Sequence, residues 1–203
     1  MIAATIDSAE IESLIFTVLS RYAPIKKKDV TTIVSQLKPY YLEKGDVLVN
    51  EWDISAPWFL ITSGIIRKFY IDSLGVEKNV DFISEKGYLT GLLSTGQGLP
   101  QKKIGYSLQA LTACDVLMLT EESQKMIMNE TTFPWQEIER LYFREKVIQL
   151  EKQLMSIQFE SALERYENFI KEYSEIHDQL PLNQIASYLG ITPVSLSRIR
   201  NQR

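Results

Sequence analysis

This chain of 203 residues has one cysteine, Cys114, and one histidine, His177. A single thiol excludes an internal disulfide and fits a reducing compartment. No apolar run is long enough to cross a bilayer. The N-terminus carries no basic segment followed by an apolar core, so no signal peptide is read there, and a cytoplasmic location is expected. A Gly-rich phosphate loop, a metal-spaced His/Cys set and a nucleophile beside a base are also absent. These absences argue against an enzyme and give no reason to expect a resident cofactor or metal. The last acidic residue is Asp178; beyond it the charged side chains are Arg198, Arg200 and Arg203.

What is present begins with charge placement. Lys and Arg number 22 against 26 Asp and Glu, a formal net charge of −4. A basic tip on an acidic body suits a small DNA-reading end carried by a larger sensing unit. The apolar content of 45% is ample for a core. The length suits one large or two small domains.

The most informative stretch is Leu182 to Arg200, which reads as a helix-turn-helix. Ile185 and Leu189 sit four apart on one face of a first helix, and Ala186 is small where two crossing helices come closest. Gly190 follows, where a left-handed backbone is needed at no steric cost. Thr192 is placed to cap a second helix, with Pro193 in its first turn. Leu196 and Ile199 turn inward, leaving Ser195, Ser197, Arg198 and Arg200 facing out as a recognition helix would present them to a major groove. Two short helices around a glycine also occur as plain hairpins. The Thr-Pro start and the basic outer face favour the DNA reading.

Upstream, the chain divides into three further parts. Asp7 and Glu10 form a capping-box pattern ahead of Ile11, Leu14, Ile15, Val18, Leu19 and Tyr22. Val30, Ile33, Val34 and Leu37 form a second helical stripe, stopped at Pro39. From Tyr40 to about Thr120 short runs of β-branched and aromatic residues alternate with turns, and a barrel or sandwich is expected. Its strands are read at 47–49, 58–61, 65–71, 76–83, 107–111 and 115–119. A long helix then starts near Phe133 with Thr132 as its cap. Phe143, Val147, Leu150, Leu154 and Ile157 are spaced four, three, four, three, the seam a helix shows to a second copy of itself. Ile138, Leu141, Tyr142, Ile148 and Met155 make a second stripe to cover the barrel; a helix buried on both faces within one chain is the alternative. Leu163, Tyr166, Phe169, Ile170 and Tyr173 make a last helix before the polar segment 174–179.

With these parts in order, the chain resembles the cyclic-AMP-receptor/fumarate-nitrate-regulator family of bacterial transcription factors. The likeness rests on Lys44-Gly45-Asp46, Glu51, Phe59-Leu60-Ile61, Ser63-Gly64-Ile65-Ile66-Arg67, Asp72, Gly75, Glu77 and Thr112-Ala113-Cys114-Asp115-Val116. The long helix and Ile185 to Thr192 complete it. The resemblance implies an α+β fold. A cyclic-nucleotide-binding-type β-roll with N-terminal helices spans 1–131, a dimerising helix 132–160 and a helix-turn-helix domain 161–203. It also implies a homodimer on an inverted repeat of double-stranded DNA, a small-molecule effector, and RNA polymerase as a partner of activators.

The departures sharpen these expectations. Members that bind cyclic AMP hold the ribose with a Gly-Glu pair and the phosphate with an Arg-Ser pair. The first loop here is Gly87 to Leu93, without a carboxylate; the second pair falls on Ile104-Gly105. A buried phosphate with no cation beside it is costly, so tight cyclic-AMP binding is not expected. The expected pocket residues are Tyr88, Leu89, Thr90, Gly91 and Leu92, with Lys102 and Lys103 as either an anion contact or plain surface lysines. A lone Cys114 cannot hold an iron–sulfur cluster and is expected to be a small buried group. His177 lies outside the sensor region and is expected at the surface. In the recognition helix the family's Arg-Glu pair falls on Pro193-Val194, and only the later arginine matches, as Arg198. Arg198 is the expected guanine contact; Thr192, Ser195 and Ser197 lie near phosphate or base edges, and Arg200 and Arg203 on phosphate. The short 174–180 linker leaves little room for a β-hairpin wing before the motif, and none is expected after it. The competing reading is a small-molecule sensor or adaptor without DNA binding.

Overall fold

Asp7 starts α1 (Ser8–Ser20), its carboxylate accepting the Ala9 N–H at 3.3 Å. Glu10 joins through its backbone, its N–H meeting the Asp7 carbonyl at 2.9 Å. A computed structural model describes residues 7–53, 58–85, 105–130 and 133–201. After α2 (Lys27–Gln36) the chain turns extended at Leu37. Pro39 does end the helical pattern, but it also sits inside a strand, β1 (Lys38–Leu42), which starts ahead of the expected Tyr40. This strand lies at the edge of its sheet, where one side is free and a missing N–H is tolerated.

The strands that follow are β2 (Val47–Val49), β3 (Trp58–Ser63), β4 (Ile66–Ile71), β5 (Glu77–Ile83), β6 (Ser107–Ala110) and β7 (Cys114–Leu119). They form two antiparallel sheets, ordered β1-β7-β3 and β2-β6-β4-β5. Ile65 falls just outside β4 because its N–H turns to the Thr112 hydroxyl at 2.9 Å. Gly64 makes this corner possible. A Cβ there would stand 2.4 Å from the Ala113 carbonyl oxygen and 2.6 Å from the Cys114 sulfur, at a φ of +93°.

One helix was not read from the sequence. The segment α3 (Glu121–Glu130) carries no repeating apolar stripe, yet it buries Ile127, Ser123 and Gln124. Thr120 opens it, its hydroxyl accepting the Ser123 N–H at 3.2 Å. The long helix α4 (Trp135–Phe159) begins at Trp135 with Pro134 in the cap position, and the expected cap Thr132 lies outside the described residues. Then come α5 (Ala162–Glu172), a 3₁₀ turn at His177–Gln179, α6 (Leu182–Leu189) and α7 (Pro193–Asn201). Helix α5 has a full capping box, Ser161 with Glu164.

Three apolar clusters hold these parts together. The first packs α1, α2, α3 and the start of α4 on one face of β3 and β7, with Trp58 stacked on Trp135 at 4.0 Å between ring centroids. The second fills the space between the sheets with Phe59, Ile61, Ile66, Ile83, Leu108 and Val116. Strand β3 is buried on both faces, Trp58 and Leu60 on one and Phe59 and Ile61 on the other, which is why it reads as an unbroken apolar run. The third cluster joins Ile65 and Phe82 of the sheets to Tyr166, Phe169, Tyr173, Ile185, Leu189 and Leu196 of the C-terminal helices. This α+β arrangement is the expected fold class.

Candidate nucleic-acid interface

The turn between α6 and α7 is built as its residues dictate. Gly190 takes a φ of 68°, in the left-handed region. The Ile191 N–H then reaches back to the Ala186 carbonyl at 3.0 Å. Ile185, Ala186 and Leu189 are buried, and Leu196 is fully so. Thr192 caps α7, its hydroxyl accepting the Ser195 N–H at 3.1 Å and pairing with the Ser195 hydroxyl at 2.9 Å. Pro193 is the first residue of α7.

The outer face carries Thr192, Val194, Arg198 and Arg200, all exposed. Ser195 and Ser197 are half-buried, so they contribute edges rather than a protruding surface. Neither Arg198 nor Arg200 has an ion pair among the described residues. Arg203 lies outside the described residues. Two free guanidinium groups on one short helix offer bidentate donors to a base edge and to phosphate.

On α4, Val147, Leu150, Leu154 and Ile157 are exposed by 63%, 61%, 55% and 60%. Phe143 differs from them: it is half-buried against the chain's own first core and meets Tyr142 edge-on. The second stripe also splits. Ile138 and Tyr142 are buried in that core, whereas Ile148 and Met155 are exposed. The apolar cover that α4 gives the sheets therefore comes from its N-terminal part, while Lys146 and Gln153 further along reach β5 by polar contacts to Asp81 and the Val80 carbonyl. The C-terminal half of α4 flanks an open cleft of about 1110 Å³ against α5 and α6, lined by Ile148, Lys152, Met155, Phe159, Arg165 and Tyr188 among others.

The expected effector residues Tyr88, Leu89, Thr90, Gly91, Leu92, Lys102 and Lys103 lie outside the described residues, as does Ile104. Gly105 is described, its N–H bonded to the Glu51 carbonyl at 3.0 Å. Sequence reading missed a polar group on the four-stranded sheet. The Lys68 ammonium stands 4.0 Å from the centre of the Tyr106 ring. Burial pushes that ammonium down, while the Asp81 carboxylate holds it up. Burial pushes the Tyr106 phenol up to about 12. Asp81 also takes the Lys146 ammonium at 3.4 Å and the Tyr173 hydroxyl at 3.0 Å. Cys114 is fully buried, its thiol donating to the Ile65 carbonyl at 3.5 Å. His177 is half-buried and its Nε2 lies 3.3 Å from Asp178. No cluster of metal-ligating side chains occurs among the described residues.

A second missed group links the sheets to α6. Pairing of β4 with β5 shifts between Lys68–Asp81 and Phe69–Asn79, leaving Val80 as a bulge. The bulge breaks strand alternation, so Asn79 and Phe82 both turn toward the C-terminal helices. Asn79 meets Gln184, and its backbone N–H meets the Ser187 hydroxyl at 3.1 Å. Arg67 is buried beside them and bonds Asn79, Gln184, Gln109 and Glu77.

No family model matches the chain, and no curated protein matches its sequence. Solved structures do share its fold. The regulator CLP of Xanthomonas campestris, described as c-di-GMP responsive and linking cell–cell signalling to virulence gene expression, superposes with a TM-score of 0.69 at 8% identity. That match covers 87% of this chain and 91% of CLP. FixK2 of Bradyrhizobium japonicum gives 0.62 at 15% identity, over 82% of this chain and 83% of its own. The catabolite activator protein of Thermus thermophilus gives 0.52 at 18% identity, over 89% and 84%. The chain therefore has the β-roll and helical C-terminal architecture of these regulators.

Proposed function

We propose that this chain is a homodimeric transcription regulator of the cyclic-AMP-receptor/fumarate-nitrate-regulator type that reads an inverted repeat in double-stranded DNA. The observation that carries the reading is the exposed face of α7, where Arg198 and Arg200 have no ion pair among the described residues, on a helix seated by Leu196. Arg198 contacts a guanine edge, and Thr192, Ser195 and Ser197 flank it near the helix start. Arg200 and Arg203 bind phosphate. Val147, Leu150, Leu154 and Ile157 form the dimer seam, with Phe143 at its inner end. Four exposed apolar side chains at heptad spacing support this.

On this reading 1–131 senses, 132–160 dimerises and 161–203 reads DNA, in the cytoplasm and with RNA polymerase as a downstream partner. The sensor pocket is divergent and does not hold cyclic AMP tightly, because the loop 87–93 lacks the ribose carboxylate and 104–105 lacks the phosphate arginine. The chain catalyses no reaction.

A selection from a random duplex library, with purified protein and no added nucleotide, tests this. Enrichment of an inverted repeat, lost in Arg198→Ala, is the expected result. Retention of the motif by Arg198→Ala removes that residue from the site. A ligand-induced rise in melting temperature without any duplex affinity would replace the reading with that of a sensor or adaptor.

A further inference from the structure

We infer that Arg67, Asn79 and Phe82 are positioning residues that make the outer face of the β4–β5 sheet a rigid mount for the recognition helix, fixing the spacing at which two half-sites are read. This rests on the DNA-reading function proposed above and adds which residues outside α7 set its specificity.

Helix α6 uses two of its faces within the chain. Ile185, Ala186 and Leu189 are buried in the third core, while Gln184 and Ser187 meet β5. The residues free for DNA, Asn183, Thr192, Val194, Arg198 and Arg200, stay exposed. The mount thus grips the helix-turn-helix without covering its reading surface.

The grip has an apolar plug and a polar rail. Phe82 is the plug, its ring centre 6.1 Å from Phe169, 5.6 Å from Tyr173 and 5.7 Å from Tyr188. The rail is directional. The Asn79 amide donates to the Gln184 side-chain oxygen at 2.7 Å and to the Gln184 carbonyl at 3.0 Å. The Ser187 hydroxyl accepts from the Asn79 backbone and donates to the Glu77 carbonyl at 3.2 Å. Arg67 braces the rail, Nη1 donating to Asn79 and Gln184, both at 3.2 Å. Its Nε and Nη2 are held by Gln109 and Glu77, and its guanidinium carbon lies 4.1 Å from the centre of the Phe69 ring. Every donor of the guanidinium fork has an acceptor, so Arg67 is a fixed peg. A slide of α6 by one residue would take Gln184 away from one Arg67 donor and from the Asn79 amide, stranding them in a buried site.

Rigid aim matters because the two recognition helices of a dimer must meet half-sites a set distance apart. A fixed mount makes the second contact intramolecular at high effective concentration. A loose one spreads the helices over many separations and lowers it.

The test uses the full chain as wild type, Asn79→Ala, Arg67→Lys and the milder Phe82→Leu. Each is titrated against a single half-site and against inverted repeats whose spacing varies by one or two base pairs. Unchanged half-site affinity, roughly tenfold weaker binding to the best-spaced repeat and a flattened spacing preference are expected. A folded variant of Asn79 or Arg67 that keeps the wild-type spacing preference overturns the mount. So does equal loss on half-site and repeat in all three variants, which would mark general destabilisation. Failure of the wild-type protein to bind any duplex sinks the DNA reading itself, and with it the mount, and is told apart because no variant is then involved.

Discussion

The side-chain carboxamides of Asn79 and Gln184 meet at 2.7 Å, joining β5 to α6 across 105 positions of chain. Three residues along, Phe82 enters an aromatic cage made by Phe169, Tyr173 and Tyr188. The C-terminal helices therefore do not close their core alone; a strand of the four-stranded sheet supplies part of it.

Truncation of that plug should be costly. Phe82→Ala removes a buried ring between two parts of the molecule, and a loss of about 3–5 kcal/mol is expected. Calorimetry is expected to show one transition for the wild type and two for the variant, as its C-terminal helices melt first. One sharp transition at an unchanged temperature would show that Phe82 is dispensable.

Gly64 should tolerate no side chain. Its Cβ would overlap backbone on the facing corner, at a positive φ that already disfavours an L residue. Gly64→Ala is expected to lose about 3 kcal/mol or more, combining backbone strain with overlap. Denaturant midpoints for Gly64→Ala and for Gly45→Ala, which also has positive φ but open space around it, separate the two effects. Equal losses at both sites would leave strain alone as the cause.

Much of this architecture was legible because it follows local rules. The Gly190 turn, the Thr192 cap, the Leu196 anchor and the strand runs each depend on residues close in sequence. Helix α3 was not legible because it is held by Ile127 and two buried polar side chains, which leave no periodic stripe. The mount was hidden by the Val80 bulge: plain alternation puts Asn79 with Asp81, whereas the bulged strand puts it with Phe82. Arg67 offered one signal, a charged residue following the apolar run Ile65-Ile66 in a strand. The Lys68–Tyr106–Asp81 group had none, since its members come from β4, from β5 and from the residue before β6, and meet only when those strands pair.

The α4 seam makes a clean prediction for assembly. Leu154 and Ile157 are solvent-facing in the single chain, so charging them should not disturb its fold. The double variant Leu154→Glu with Ile157→Glu is expected to sediment as a monomer with an unchanged circular dichroism spectrum. A dimer that survives this change would have to use another surface.

Tyr106 should give the alkaline limb of stability. Its folded value is about 12 against an ordinary 10.0, raised by burial and then by Tyr70. Between those values the unfolded chain loses this proton first, so stability falls as pH rises. The rise corresponds to about 3 kcal/mol, present in full below pH 10 and gone above pH 12. Lys68 acts in the opposite sense: its ammonium is depressed by burial, so its penalty fades as pH rises toward its unfolded value. Comparison with Tyr106→Phe isolates the tyrosine, because the ring under Lys68 is kept. Chemical denaturation from pH 9 to 12 should show the wild type losing stability faster than the variant. Parallel slopes would mean that Tyr106 ionises like an exposed phenol.

The last prediction separates affinity from reading on α7. Arg198 and Arg200 are both exposed at the end of the helix, two positions apart and thus on different faces. If Arg200 lies on phosphate, Arg200→Ala should weaken binding to every duplex alike and reduce the salt slope of log affinity by about 1 per subunit. If Arg198 reads a base, Arg198→Ala should cost about 1–3 kcal/mol on the operator and level the preference at one position of each half-site. Affinities measured between 50 and 200 mM salt, on the operator and on duplexes altered at single positions, distinguish the two roles. A reversed pattern would exchange them: uniform weakening from Arg198→Ala with loss of base preference from Arg200→Ala would rotate the recognition helix about its axis in the groove.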